Sequence, residues 1–283
     1  MIDFSIEELK KLYKPAFNSH KGQNGKLMII GGSKLFHAAS LWSLKVASRI
    51  VDMVFYSSVP ENNQIIIEQK KEFRDGIIIP RDKIDNYIQE ADCILIGPGL
   101  PRKNGEEAGD DDTKELSERL LKKYKDKKLV IDGGSLQVID PEFIPHGSIL
   151  TPHHREFRDL KLKIKNEKLK ITIQNSKIEE QAQIFAREFN CVVLLKGSVD
   201  IVSNGKETVQ VRGGNAGMTK GGTGDVLAGL VAALYCKNEA FLSACIASYV
   251  NKKAGEELYK KVGVYFNASD LLDEIPKVMK SLI

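Results

Sequence analysis

The stretch 213-GGNAGMTKGGTGD-225 runs directly into the apolar segment 226–236, and this junction indicates how the chain is organised. Large apolar side chains recur at helical spacing in that segment, with alanine and glycine between them, which predicts a buried helix. A glycine-rich loop that leads into a helix offers unpaired backbone N–H groups and the positive end of the helix dipole. The junction therefore predicts a phosphate-binding site.

Asp225 places a carboxylate where the phosphate group would bind. Two anions at one helix end repel each other, so this carboxylate is better explained as a base that takes a proton from an attacking hydroxyl group. The structural alternative is an ordinary acidic residue in the first helical turn, which the helix dipole stabilises. The loop is not a Walker A motif, because Lys220 is followed by glycine and not by Ser or Thr.

Composition narrows the class of protein. The chain has 283 residues, of which 42% are hydrophobic and 28% are charged, as in ordinary globular proteins. Its net charge of +4 is spread among acidic residues, which predicts no nucleic-acid partner. We find no secretory signal and no apolar run of membrane-spanning length, so we expect a cytoplasmic protein without a membrane partner. Four widely spaced cysteines predict free thiols rather than disulfides or a zinc framework.

Apolar runs that end at glycines recur at 26–30, 92–96 and 129–131. Buried parallel strands have this form, and the segments between these runs carry helical patterns. The alternation predicts an α/β fold with a mainly parallel sheet and helices on both faces. Ligands bind at the carboxyl ends of such strands, so we expect the active site at that edge. No linker divides the chain, and we expect residues 1–283 to form a single domain.

Some local patterns give narrower predictions. Residues 64–67 and 77–79 are predicted as strands, and residues 201–211 as a hairpin. Residues 5–13 are predicted as a short helix with a capping box made by Ser5 and Glu8. The lysine-rich segment 161–170 predicts an exposed loop or a frayed helix end. The acidic run 110–112 favours a solvated loop over a cation site.

Two adjacent histidines, His153 and His154, open another predicted helix. Neighbouring residues on a helix point in different directions, so one histidine is expected to face a site while the other faces solvent. This arrangement disfavours a zinc site.

The motif 217-GMTKGGTGDVLAG-229 resembles the signature of the ADP/ATP-dependent NAD(P)H-hydrate dehydratases, a branch of the ribokinase-like superfamily. Shorter matches follow in the family's order over nearly the whole chain: HKG at 20–22, GGS at 31–33, GPGL at 97–100, LTPH at 150–153 and LKG at 195–197. The resemblance implies a ribokinase-like three-layer sandwich.

The resemblance also implies a repair reaction. This family removes water from the hydrates of NADH and NADPH at the expense of a nucleotide, which makes its members hydro-lyases. For this chain it implies action on the (6S)-hydrate, with ADP as the co-substrate or ATP in its place, and with Mg²⁺. In the implied reaction Asp225 deprotonates the ring hydroxyl, which attacks the terminal phosphoryl group of the nucleotide, and loss of phosphate from the ring restores NAD(P)H.

Roles for individual residues follow from the same resemblance. The implied contacts to the hydrate are Ala39, Gly97, Gly99, His153 and Asp225. The implied contacts to the adenine nucleotide are Lys196, Gly197, Ser198, Val199, Asp200, Gly221, Gly222, Thr223 and Gly224. Glu156 falls where related kinases keep an acidic residue that organises magnesium through water.

The chain departs from the family pattern at some positions, and other functions stay open. Residues 34–38 lack the glycines that many relatives carry there, and Pro101 replaces a further glycine. One alternative is a small-molecule kinase of the same superfamily, acting on a vitamin precursor or a sugar. Sugar kinases usually carry GAGD and thiazole kinases GTGC where this chain has GGTGD. The other alternative is a catalytically silent nucleotide-binding regulator, which an intact Asp225 disfavours.

Two expectations concern partners. Relatives often assemble into tetramers or larger symmetric forms, so we expect a homo-oligomer. A separate epimerase is expected if the organism interconverts the two hydrate epimers.

Overall fold

The computed structural model describes residues 2–102 and 113–283, and the sheet that runs through them determines the architecture. The strands in this part of the chain are β1 (Ile2–Asp3), β2 (Lys26–Ile30), β3 (Met53–Ser57), β4 (Ile77–Ile78), β5 (Cys93–Ile96), β6 (Lys128–Ile131), β7 (Ile149–Leu150), β8 (Val192–Leu195), β9 (Asp200–Ser203) and β10 (Thr208–Val211). They form one sheet in the order β1-β10-β9-β8-β7-β6-β5-β2-β3-β4. Strand β9 is antiparallel to both β8 and β10, whereas the other pairs are parallel, which confirms the mainly parallel sheet.

Helices connect the strands and cover the sheet. The α-helices of the described residues are α1 (His37–Ala47), α2 (Pro60–Glu68), α3 (Ile84–Glu90), α4 (Thr113–Lys123), α5 (Gly133–Val138), α6 (His154–Leu162), α7 (Glu167–Gln174), α8 (Ile178–Glu188), α9 (Thr223–Tyr235), α10 (Ala240–Val262) and α11 (Ala268–Leu282). Short 3-10 helices lie at Ile6–Lys11, Gln69–Lys71, Arg81–Lys83, Pro141–Phe143 and Ala216–Thr219.

Two apolar clusters, one on each face of the sheet, show why the central strands are continuous hydrophobic runs. Leu27 and Ile29 of β2 pack into one cluster with α1, α9, α10 and α11. Met28 and Ile30 of the same strand pack into the other, with α3 to α6 and α8. Successive side chains of a strand point to opposite faces, so a strand buried on both faces must be apolar throughout. The predicted three-layer arrangement is confirmed.

Strand register brings the predicted turns to one edge. Ile30 pairs with Ile96, Ile96 with Ile131, and Ile131 with Leu150, so four parallel strands end at the same level. Turns that are far apart in sequence therefore lie side by side at the carboxyl ends of the strands. The predicted hairpin is also confirmed, since β9 and β10 are antiparallel neighbours.

Three local predictions were wrong or incomplete. Residues 64–67 belong to helix α2 and not to a strand. Pro60 occupies the first turn, where its missing N–H costs nothing, and Asn63 Oδ1 accepts a 3.0 Å hydrogen bond from the Ser58 N–H just before the helix. In the segment 161–170, α6 runs on to Leu162 and α7 begins after Asn166, whose side chain accepts from the Leu169 N–H.

The N-terminal segment forms a 3-10 helix, Ile6–Lys11, rather than an α-helix with a capping box. Ser5 accepts a hydrogen bond from the Glu7 N–H at 3.4 Å, but the Glu8 carboxylate pairs with Lys11 instead of reaching back to the cap. A lysine three residues away competes for the glutamate that a capping box needs.

Other predictions have simpler outcomes. All four cysteines are buried and free. Among the described residues, none of the helices combines the length and apolar character needed to cross a membrane. The acidic run 110–112 lies outside the described residues.

Candidate active site

Helix α9 begins at the predicted edge, and its first turn depends on glycine. Gly222 precedes the helix with φ +94°, a conformation that side-chain-bearing residues rarely adopt, and a Cβ on it would lie 2.4 Å from the Trp42 ring. Thr223 holds the loop in place, because its hydroxyl donates to the carbonyls of Met218 (2.7 Å) and Lys220 (2.9 Å). Thr223 therefore does not act as a helix cap, since a capping side chain accepts a hydrogen bond from a helix N–H.

Asp225 lies in the first turn of α9 and is half-buried. Ser43 of α1 donates to its backbone carbonyl at 2.7 Å, which ties the start of α9 to α1. Burial raises the pKa of the Asp225 carboxyl to about 7, and the negative charges of Asp132 and Glu156 add to the effect while Lys196 opposes it. A carboxyl with a pKa near neutrality can hold and release a proton under physiological conditions.

The carboxylate of Asp132, directly after β6, anchors Lys196 at the end of β8. Lys196 Nζ lies 3.0 Å from Asp132 Oδ1, and both side chains are largely buried. Thr151 donates to the same oxygen at 2.7 Å. Burial alone would lower the pKa of Lys196, but the carboxylates of Asp132, Glu156 and Asp225 outweigh it and raise that pKa. Lys196 therefore stays charged at the centre of three carboxylates.

Asp132 is a site residue that sequence reasoning missed. The sequence offered one signal for it, since Asp132 is a carboxylate directly after a buried strand, at the edge where ligands bind. Gly97 packs directly against the backbone of Asp132, because a Cβ on Gly97 would lie 1.7 Å from the Asp132 carbonyl oxygen. The structure thus gives Gly97 a packing role beside Asp132.

His153 and Glu156 cap the start of α6 reciprocally. The Glu156 carboxylate accepts from the His153 N–H at 2.9 Å, and His153 Nδ1 accepts from the Glu156 N–H at 3.1 Å. The imidazole of His153 remains half exposed, whereas Glu156 is buried. Burial raises the pKa of Glu156. Within the described residues, no group of three or more His, Cys, Asp or Glu side chains is placed to hold a metal ion.

Ala39 and Gly99, predicted to contact the hydrate, are neighbours in space. Gly99 has φ +70°, and a Cβ on it would lie 2.9 Å from the Ala39 methyl group and 3.2 Å from the Cα of Gly32. Ala39 and Ser43 lie on the same helix one turn apart, so this pair stands next to the start of α9.

A cavity of about 760 Å³ opens beside the first turn of α9. This volume lies in the range of small-molecule and cofactor sites. It is lined by His153, Lys196, Gly197, Ser198, Asp200, Gly213, Gly214, Asn215, Ala216, Met218, Thr219, Thr223, Gly224, Leu227, Asn251 and Lys252. The structure thus brings residues of the loops after β7, β8 and β10 together around one space.

Lys252 of α10 joins two of these loops and was also missed. Its ammonium group lies 3.3 Å from Asp200 Oδ1, donates to the carbonyls of Gly197 (3.2 Å) and Ser198 (3.1 Å) after β8, and reaches the Gly213 carbonyl (3.5 Å) after β10. Asp200 in turn accepts from the Gly197 N–H at 2.8 Å and from the Ser248 hydroxyl at 2.7 Å. The carboxylate of Asp200 is thereby used inside the protein, where it shapes the loop. In the sequence, Lys252 looks like any lysine of a long amphipathic helix.

This sheet order, with a glycine-rich loop leading into α9 and a buried aspartate in its first turn, defines a ribokinase-like protein. A ribokinase-like superfamily protein from Enterococcus faecalis has the same fold, with a TM-score of 0.83 and 20% identity over 99% of this chain and 96% of that one. The ADP/ATP-dependent NAD(P)H-hydrate dehydratase from Bacillus subtilis, co-crystallised with ATP and Mg²⁺, matches with a TM-score of 0.80 and 21% identity over 100% and 99% of the two chains.

Sequence comparison narrows the class to a family. The family model described as NAD(P)H-hydrate dehydratase matches residues 27–277. An ADP-dependent (S)-NAD(P)H-hydrate dehydratase from Nitrosopumilus maritimus is 35% identical, over 93% of this chain and 91% of the relative. The chain belongs to the NAD(P)H-hydrate dehydratase family. A bifunctional NAD(P)H-hydrate repair enzyme from Methanocaldococcus jannaschii is 38% identical over 96% of this chain, which spans about half (52%) of that longer relative.

Proposed function

We propose that this protein dehydrates the (6S)-hydrate of NADH or NADPH and converts ADP to AMP and phosphate. The proposal depends on the position of Asp225. Its carboxylate lies half-buried in the first turn of α9, beside a cavity of cofactor size, and burial raises its pKa. The ADP-dependent (S)-NAD(P)H-hydrate dehydratase from Nitrosopumilus maritimus, which aligns with nearly the whole chain, supports it.

The proposed reaction has two steps, a phosphoryl transfer and an elimination. Asp225 takes the proton of the ring hydroxyl, and the hydroxyl oxygen forms a bond to the terminal phosphorus of ADP while the bond to the AMP oxygen breaks. The ring carbon–oxygen bond then breaks and phosphate leaves with its electron pair, while the neighbouring carbon gives a proton to water and the electrons of that C–H bond restore the double bond of NAD(P)H. The N–H groups at the start of α9 and the ammonium group of Lys196 stabilise the negative charge in transfer.

The proposed binding residues form two groups, one for the nucleotide and one for the hydrate. Residues 196–200 and 221–224 would hold the nucleotide, with Asp200 acting through the loop that it shapes. Ala39 and Gly99, beside α1, would contact the hydrate together with Gly97, and His153, which lines the cavity beside Lys196, would contact it at the boundary with the nucleotide. Ser43 links α1, which carries Ala39, to the backbone of Asp225 through a 2.7 Å hydrogen bond.

Mg²⁺ would bind at this site through water molecules and the phosphates of the nucleotide rather than through a set of protein ligands. The described residues offer no cage of three ligands, but Mg²⁺ commonly keeps its waters and is held by one or two carboxylates together with substrate phosphates. Glu156, buried near Lys196 and Asp132, would hold such an ion through water. When bound, the ion would neutralise phosphate charge.

The proposal extends to the organisation of the protein. One sheet joins all the strands, from β1 at Ile2–Asp3 to β10 at Thr208–Val211, and the C-terminal helices α9 to α11 pack on it, which supports a single domain over residues 1–283. A homo-oligomer remains our expectation, as does an epimerase that feeds the other hydrate epimer into this site.

The decisive test is the recovery of the near-ultraviolet absorbance of reduced nicotinamide from NADH hydrate with Mg²⁺ and either ADP or ATP. We expect recovery with ADP, and Asp225→Asn should slow it roughly a thousandfold, because general-base catalysis is lost while the side chain keeps its size. Asp159→Asn, an exposed carboxylate on α6, is the matched control and should stay fully active. A stable phosphorylated product without recovery would instead indicate a small-molecule kinase.

A further inference from the structure

Asn251 is a buried polar residue in the wall of the cavity proposed to bind the nucleotide. It lies on α10, is 5% exposed, and lines the cavity together with Leu227 and Met218. Its Oδ1 atom is buried and has no hydrogen-bond partner among residues 2–102 and 113–283. Buried polar groups in native proteins are nearly always paired, so an unpaired amide beside a cavity indicates a ligand group or a water molecule that completes it.

The surroundings of Asn251 suit a flat heterocycle better than a phosphate group. Leu227 lies one turn beyond Gly224 on α9, deeper in the protein than the helix N-terminus that would hold phosphate. Leu227 and Met218 offer apolar surface to the faces of a ring. The neighbouring Lys252 is neutralised by Asp200 and occupied by loop carbonyls, which leaves the uncharged amide to recognise a ring edge.

We propose that the Asn251 amide recognises the 6-amino edge of the adenine ring, so that this residue makes the co-substrate an adenine nucleotide. This inference rests on the proposed function, because it concerns the nucleotide of the same reaction. An amide oxygen accepts from the 6-amino group while the amide nitrogen donates to a ring nitrogen, and a half-turn of the terminal amide exchanges the two atoms without changing its shape. A purine that lacks the amino group leaves the acceptor unpaired, and sites of this kind reject such analogues.

Nucleotide binding measured by calorimetry tests the inference without the chemical step. We expect the wild-type protein to bind ADP at least about tenfold more tightly than purine riboside 5′-diphosphate, which has hydrogen in place of the amino group. Asn251→Leu, of similar volume but without polar atoms, should reduce that preference to about twofold or less. If the leucine variant does not fold, Asn251→Ala replaces it. The comparison of ADP with the purine analogue in the wild-type protein tests the inference without any variant.

Ser243→Ala is the matched control. Ser243 lies on the same helix roughly 12 Å nearer its start, and its hydroxyl donates to the Glu239 carbonyl at 2.7 Å. It should keep the wild-type preference for ADP. A wild-type protein that binds both nucleotides equally, or that binds no ADP, would overturn the inference, as would a leucine variant with the full preference. Selective ADP binding by a protein that restores no NADH would contradict the proposed function and leave this inference standing.

Discussion

At the level of single residues, the site places one lysine among three carboxylates. Asp132 forms the direct 3.0 Å ion pair with Lys196, and Glu156 and Asp225 lie close enough to raise the lysine pKa further. Burial raises the pKa of a carboxyl that lacks an ion pair, and one positive charge cannot compensate three negative ones, so the neighbouring carboxylates raise it further. Asp225, which has no ion pair among the described residues, is the one that reaches about 7.

Activity should therefore depend on pH near neutrality. Asp225 must be ionised to accept a proton, and its pKa of about 7 means that the ionised form is lost as the pH falls through that value. We expect kcat/KM for the hydrate to rise with pH to a plateau, with a midpoint near 7.

Asp132→Asn provides the diagnostic variant for this dependence. It removes a negative charge that raises the Asp225 pKa, so the midpoint should move to lower pH, while burial, the largest cause, keeps it above the ordinary value of 3.8. The exposed control Asp159→Asn should leave the midpoint in place. A wild-type midpoint near 4, or an Asp132→Asn profile with an unchanged midpoint, would contradict this assignment.

At the level of elements, the start of α9 sets the geometry of the site. The adjacent glycines Gly221 and Gly222 look equivalent in sequence but differ in structure. Gly222 has positive φ and packs against Trp42, whereas a Cβ on Gly221 would meet no atom within 4 Å. Gly222 is therefore required by the fold, and we propose that the open space at Gly221 admits the phosphate of the nucleotide.

A pair of alanine substitutions separates these two roles. Gly222→Ala forces a side chain into a strained conformation against the indole ring, and we expect it to lower the free energy of unfolding by about 1–3 kcal/mol and to abolish activity. Gly221→Ala should change stability by less than about 0.5 kcal/mol. Chemical denaturation of both variants checks this expectation, and equal losses of stability would show that the start of α9 is not constrained as described.

The element that sequence reasoning assigned incorrectly, α2, illustrates the limit of local patterns. The run of isoleucines at 65–67 has strand-like composition, and a short apolar run cannot be distinguished from part of a buried helix by periodicity alone. The helix is selected by Pro60 at its first turn and by the packing of fully buried Ile66 against the core. That packing surface comes from distant segments.

At the level of the whole molecule, nucleotide binding should stabilise the fold, because the site is assembled from loops that follow several strands and therefore exists only in the folded chain. A ligand at about one hundred times its Kd adds roughly 2.7 kcal/mol to the stability of the folded state. For a chain of this size, with about 2 cal/mol/K of unfolding entropy per residue, this corresponds to a rise in Tm of about 5 °C.

Thermal unfolding with ADP, adenosine and no ligand measures this stabilisation. We expect ADP to raise Tm and adenosine to have little effect at the same concentration, since the helix N-terminus and Lys196 act on phosphate. Asp225→Asn should keep the rise, because it removes a base and also relieves repulsion of the phosphate. An adenosine effect equal to that of ADP would show that α9 does not bind phosphate.

The sequence by itself determined the fold class, the strands that end in glycine turns, the glycine-rich junction that leads into α9 and the carboxylate of Asp225. These features follow from periodicity and turn chemistry, which act between residues close together in the chain. Only the tertiary structure decided that Asp132, Glu156 and Lys196 surround the same space as Asp225, that Lys252 joins two loops, and that Asn251 lies unpaired in the cavity wall. Those relations depend on strand register and helix packing, which set the distances between side chains that no local pattern encodes.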